Sequence, residues 1–320
     1  MVELSKNHKT ILGILLIFII GNYITIIGKS FFFPEDEVNR NPINYNVITK
    51  DQKQINLKSE TDFINLSSEM IEIFEDNNFT VNNFIKKEID KMIIFSSLPD
   101  DFLELQPIAL RKDLFIKTVI QLIYIENEKV LNDRAKILQW WTETDGELIE
   151  RDFWPDWLIN ISKDYEYEDI HIGDLLMRVD LIPISMALAQ SAIESGWGTS
   201  RYAREGNAIF GQYTFDTNAG IIPAERKIGK KFLIKKYNNL SDSVASYIKN
   251  LNTHNAYEDL RQTRKKLRMD GKNISSKALV SSLKNYSERG EDYIIDLKRI
   301  SEENNFYKFD KIYFEEDSDD

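Results

Sequence analysis

Residues 183–215 read PISMALAQSAIESGWGTSRYAREGNAIFGQYTF, and the reading of this stretch decides the fold. Pro183 suits the first turn of a helix, where its missing N–H costs little. Residues 184–195 are small or apolar with few exceptions, so the helix they form expects burial. Gly196 and Gly198 supply the stop, because glycine accepts the left-handed geometry that closes helices. Gln190 stands four residues before Glu194 and shares its face of the helix. A carboxyl group held against apolar walls favours its neutral form, which brings its pKa toward that of a usable general acid. The plainer alternative for Glu194 is a capping or pairing role at a helix end. Further on, β-formers in residues 208–237 cluster around Gly220, Pro223 and Gly229, which predicts a short hairpin.

Outward from this segment the pattern is helical. Phe63, Leu66, Met70, Ile73 and Phe74 recur three or four apart, and similar faces lie in 81–96 and 108–126. SLPDDF at 97–102 interrupts them, since the residue before Pro99 is pushed out of helical geometry. Trp140, Trp141, Trp154 and Trp157 read as packing anchors where this part meets the next. After the hairpin, helices are expected at 241–253, 255–268, 276–285 and 290–304. The fold class is therefore mainly α with one small β element.

Composition narrows the chemistry. The 320 residues include no cysteine and three histidines, His8, His171 and His254. Thiol nucleophiles, disulfides and thiolate metal sites are excluded, and a histidine-based zinc site or Ser-His-Asp triad is disfavoured. No metal or other cofactor is expected. The net charge of −11 does not suit a nucleic-acid binder. It is unevenly spread: residues 310–320 hold six acids and one lysine, and read as a solvated tail. Residues 226–236 carry +6 and 261–272 carry +5; these are either solvated faces or contacts for an anionic ligand. Carboxylates, tyrosines and amides remain as the groups for catalysis. Trp197 adds a flat ring on which a sugar could lie.

The N-terminus reads as an anchor. Residues 10–28 are free of charge and bracketed by Lys9 and Lys29, with a continuously apolar centre, ILGILLIFII. A helix of that length spans roughly 28 Å, close to the hydrocarbon thickness of a bilayer. Lys6 and Lys9 before it, and Glu35, Asp36 and Glu37 after it, predict a signal anchor that leaves the body outside the cytoplasm. A cleaved signal peptide and a secreted chain form the alternative. The expected organisation is anchor 1–30, tether 31–58, helical region 59–160, second domain 161–305 and acidic tail 306–320.

LAQSAIESGWGTSRYAREGNAIFGQYTF resembles the signature of the bacterial Bax family, which belongs with the peptidoglycan glucosaminidases of glycoside hydrolase family 73. SLPDDF, RKDLFI at 111–116, ENEKVLNDR at 126–134, DLLMRVDLIPISMAL at 174–188, SVASYIKNLNTHNAYEDLR at 243–261 and YSERGEDYI at 286–294 resemble further blocks in the same order. The resemblance implies a lysozyme-like α+β domain with a β-hairpin. It also implies an endo-β-N-acetylglucosaminidase cutting the β-1,4 bond from N-acetylglucosamine to N-acetylmuramic acid, with peptidoglycan strands as partner. On this resemblance Glu194 matches the general acid and Tyr286 the tyrosine near the glycan, with Tyr293 its competitor. Gln190, Ser195, Trp197, Asn207, Phe210 and Gln212 are the matching candidates for substrate binding, although Phe210 reads better as hairpin core. The second catalytic group stays open between Glu225, Tyr286 and the substrate's acetamido group. A lytic transglycosylase, or a non-catalytic wall-binding scaffold, is the alternative activity. No protein partner is indicated.

Overall fold

The computed structural model describes residues 66–89, 92–223 and 231–314. The expected anchor, the tether, Glu225 and residues 226–230 of the first basic run lie outside these. Among the described residues no helix is long and apolar enough to cross a membrane. In chain order the elements are α1 (Ser67–Asp76), α2 (Val81–Ile85), α3 (Ile108–Glu143), α4 (Asp156–Asp164), α5 (Ile172–Arg178), α6 (Ile184–Ser195) and α7 (Arg201–Gly206). Strands β1 (Tyr213–Thr214), β2 (Gly220–Ile221) and β3 (Leu233–Lys235) follow. Then come α8 (Leu240–Thr253), α9 (Glu258–Met269), α10 (Ser276–Leu279), α11 (Glu291–Glu303) and a closing 3-10 helix, Phe306–Ile312.

The fold is mainly helical, as expected, but the β element is not a simple hairpin. Both β1 and β2 pair antiparallel with β3, giving the order β1-β3-β2. The helix expected over 81–96 also ends early, at Ile85, with Lys87 in the left-handed region at φ 59°. Ile93, Ile94 and Phe95 are consecutive and all buried, which one stripe of a helix cannot achieve. They run as irregular chain, and the Ile93 N–H donates to Gln121 Oε1 of α3 at 2.6 Å.

Helix α6 lies at the centre. Every residue from Ile184 to Ala192 is buried, and α3, α11 and the closing 3-10 helix pack against it. A single apolar core runs from Met70 to Ile312, so the helical N-terminal region and the later helices share one interior. The tryptophans do pack as anchors: Trp154 is buried, edge-on to Trp140 at 6.2 Å.

The loop leading into α6 forms no regular ladder, so its carbonyls must find partners elsewhere. Neighbouring helices supply them. Asn127 of α3 donates to the Ile182 carbonyl at 2.7 Å and accepts the Ile182 N–H at 2.9 Å. Arg134 of α3 donates to the Leu176 and Val179 carbonyls. Arg264 of α9 donates to the carbonyls of Met177, Asp180 and Leu181, and Asn252 of α8 to that of Asp180. The Asp180 carboxylate is the counter-charge for this cluster. Arg268 grips it at 2.7 and 3.1 Å, with Arg134 at 3.5 Å and Arg264 at 3.8 Å.

Two charge expectations change here. Arg261 and Arg264, from the +5 run, are interior, and Arg268 of the same run is committed to Asp180. Much of that run holds the fold together and is unavailable to an anionic ligand. The acidic tail likewise begins later than expected. Asp310 is buried and accepts from Ser185 N–H at 3.1 Å, Ser185 Oγ at 2.7 Å and Ser276 N–H at 2.7 Å. Phe306, Phe309 and Ile312 carry the 3-10 helix into the core. The acids of residues 315–320 lie outside the described residues.

Gly198 joins the turn after α6 to the N-terminal region. Its φ is +79°, and a Cβ there would lie 2.5 Å from Leu98 Cδ1 and 3.1 Å from ring atoms of Phe102 and Phe115. Gly198→Ala is expected to cost about 2–4 kcal/mol, from overpacking together with the left-handed backbone. A urea melt compared with wild type reads this directly; an unchanged midpoint contradicts it.

Candidate active site

Glu194 emerges in the last turn of α6, where the helix leaves the core. Ser195 ends the helix and Gly196 caps it at φ 57°, ψ 45°. Trp197 and Gly198 continue in the left-handed region. Three successive left-handed residues turn the chain sharply away and leave the Glu194 side chain half-buried at the surface. The pKa of Glu194 is raised, chiefly by burial; a hydrogen bond from Tyr293 and the charge of Arg289 oppose the rise. The negative end of the α6 dipole acts in the same sense as burial.

Gln190 is fully buried, one turn earlier. The Tyr247 hydroxyl of α8 donates to Gln190 Oε1 at 2.6 Å, and Gln190 Nε2 donates to the Tyr293 hydroxyl of α11 at 3.0 Å. The Tyr293 oxygen is thus already an acceptor, so its own proton is left for the Glu194 carboxylate. Tyr286 stacks on Tyr293, with centroids 5.7 Å apart and planes at 5°, and donates to the Phe210 carbonyl at 3.0 Å. Phe210 stacks on Tyr247 at 3.8 Å, and Tyr257 lies 6.0 Å from Tyr286. Four tyrosines, from α8, the turn before α9, the turn before α11 and α11 itself, therefore converge on one carboxyl group. Gly211 closes the remaining side. Its φ of +62° favours glycine, and a Cβ there would lie in ordinary contact with Glu194 Oε2, at 3.4 Å.

Of the residues expected at the site, Glu194, Gln190, Tyr286, Tyr293 and Phe210 come together. Several roles change. Gln190 and Tyr293 are interior, so they position Glu194 and do not touch a ligand. Ser195 is also interior; its hydroxyl donates to the Ser191 carbonyl and accepts the Gly198 N–H, locking the helix end. Trp197 is not an open sugar platform. Its ring packs between Phe115 at 6.0 Å and Phe306 at 5.9 Å, with Lys112 Nζ 4.4 Å from its centre.

Asn207 caps α7 in the left-handed conformation and donates to the Tyr237 and Asn238 carbonyls. Gln212 accepts from Tyr237 and donates to the Ser246 carbonyl, tying the sheet to α8. Phe210 is buried against Tyr247 of α8 ahead of β1, and its carbonyl anchors Tyr286. Sequence reasoning missed Tyr247, Tyr257 and Arg289 as neighbours of Glu194, since none carries a local signal. Among the described residues no group of His, Cys, Asp and Glu side chains is placed to hold a metal ion.

One acidic residue on a buried helix, ringed by tyrosines beside a small antiparallel sheet, is a glycosidase-type arrangement. The glucosaminidase family pattern, described as mannosyl-glycoprotein endo-beta-N-acetylglucosaminidase, matches residues 171–306. Residues 171–306 include every side chain just placed around Glu194. The chain is also 33% identical over 207 residues to "Protein bax" of Escherichia coli (strain K12), covering 62% of this chain and 71% of that one. It belongs to the Bax family of glucosaminidase-domain proteins. No solved structure gives a significant match.

The hydrogen bond from Tyr293 makes a directional prediction. A general acid works while protonated, so activity falls as pH rises through its pKa. Tyr293 lowers that pKa by favouring the carboxylate. Tyr293→Phe should therefore move the alkaline limb of the kcat/KM profile to higher pH. An unmoved limb, measured on the folded variant, contradicts the assignment.

Proposed function

We propose that this protein hydrolyses peptidoglycan as an endo-β-N-acetylglucosaminidase, cleaving the β-1,4 bond between N-acetylglucosamine and N-acetylmuramic acid. Glu194 protonates the leaving glycosidic oxygen. The observation that carries this reading is a carboxyl group biased toward its neutral form by burial, yet still half-exposed at the end of a rigid helix. Tyr286, stacked on the interior Tyr293 beside that acid, supplies a polar edge for the positive charge that develops on the sugar ring. The uncharged run at residues 10–28 supports a location in the envelope, with the enzyme tethered outside the cytoplasm.

Mass spectrometry of muropeptides released from purified sacculi tests the bond and the reaction together. Reducing N-acetylglucosamine ends are expected. Anhydromuramic ends would instead indicate transglycosylation, and binding without any released fragment would indicate a scaffold.

A further inference from the structure

The sheet beside Glu194 exposes aromatic rings that the catalytic constellation does not use. Tyr213 is 66% exposed and Phe215 78% exposed. Residues directly opposite on antiparallel strands share a face, so Tyr213 lies on the face of Ile234, its partner on β3. Ile221 of β2 is the other partner of Ile234 and completes the row. Phe215 follows β1 directly and Phe232 precedes β3 directly. Phe232 supports the Tyr213 ring, with centroids 4.5 Å apart. Ile234 is buried beneath this layer while the outer rings stay in water.

The row starts at the acid. Gly211 lies beside the Glu194 carboxylate, since a Cβ there would be 3.4 Å from Glu194 Oε2, and Tyr213 and Phe215 follow two and four residues later. The charges of Glu288 and Glu194 both act on the Tyr213 hydroxyl, so it lies within electrostatic reach of both. Two large rings left in water at the mouth of a site are costly unless something covers them. An aromatic ring suits the apolar C–H face of a pyranose, whereas a charged peptide would gain little from it.

We propose that Tyr213 and Phe215 form a stacking track for consecutive N-acetylhexosamine residues of a glycan strand, leading away from Glu194. This rests on the glycosidase reading for the identity of the ligand. It takes over the sugar-platform role that Trp197, packed between Phe115 and Phe306, does not fill.

The test uses a Glu194→Gln parent, which cannot turn over, and a soluble peptide-free tetrasaccharide of alternating N-acetylglucosamine and N-acetylmuramic acid. Calorimetry compares the parent with Tyr213→Ala, Phe215→Ala and the double substitution. Each alanine is expected to weaken binding about three- to tenfold. Tyr213→Trp should retain affinity, which separates stacking from a structural effect. Equal binding by the parent and the double variant overturns the track, as does a parent that binds nothing. Because turnover plays no part, loss of binding in the alanine variants supports the track even if muropeptide analysis rejects hydrolysis.

Discussion

Replacing Glu194 by glutamine is expected to lower the release of soluble fragments from purified sacculi by two to four orders of magnitude, the usual contribution of a general acid. The substitution keeps the shape of the side chain and removes its titratable proton. Glutamine can still accept the Tyr293 hydrogen through its carbonyl oxygen, so the interior network of Gln190, Tyr247 and Tyr293 stays satisfied. Thermal stability should therefore be close to wild type, and the loss can be read as chemistry. Residual activity within a few-fold of wild type would remove Glu194 from the mechanism. Glu194→Asp gives a second check. It keeps the acid but withdraws it by one methylene, so it should fall between wild type and glutamine.

The largest expected effect on stability lies at Asp180. Burial would raise the pKa of this carboxyl, but Arg134, Arg268 and Arg264 together hold it well below the usual carboxylate range. Asp180→Ala leaves a cluster of buried guanidinium groups without their counter-charge, a change that costs about 3–5 kcal/mol. The loss also reaches the site, because the same arginines secure the carbonyls that launch α6. Urea melts should show the destabilisation, and a shift below about 1 kcal/mol would contradict it. The pH dependence has a definite sign. A carboxyl with a depressed folded-state pKa stabilises fully above its unfolded value of about 3.9. That contribution disappears as pH falls toward the lower folded value. The difference between wild type and Asp180→Ala should therefore shrink under strongly acidic conditions.

Part of this was legible in one dimension. The small apolar run from Ile184 to Ala192 reads directly as a buried helix, and the glycines after Ser195 as its stop. A carboxylate stranded at the end of such a helix is a local pattern as well. The helix over 81–96 was misread because apolar spacing cannot separate a helix face from irregular chain buried on all sides. The acidic tail was misread because composition does not reveal that Asp310 caps Ser185, 125 residues away. Arg264 and Arg268 looked like part of a charged surface, since nothing local records the single aspartate they share.

The sequence by itself determined the class of fold, the central helix and the carboxyl group at its end. These follow from residue type and short-range spacing, which act through burial and backbone geometry over a few turns. Only the tertiary structure decided which residues serve the acid. Gln190 and Tyr293 became positioning groups and Trp197 a packing residue, while Tyr213 emerged as the exposed ring beside the site. A side chain's role depends on what covers it and what it bonds, and those neighbours come from helices far apart in the chain.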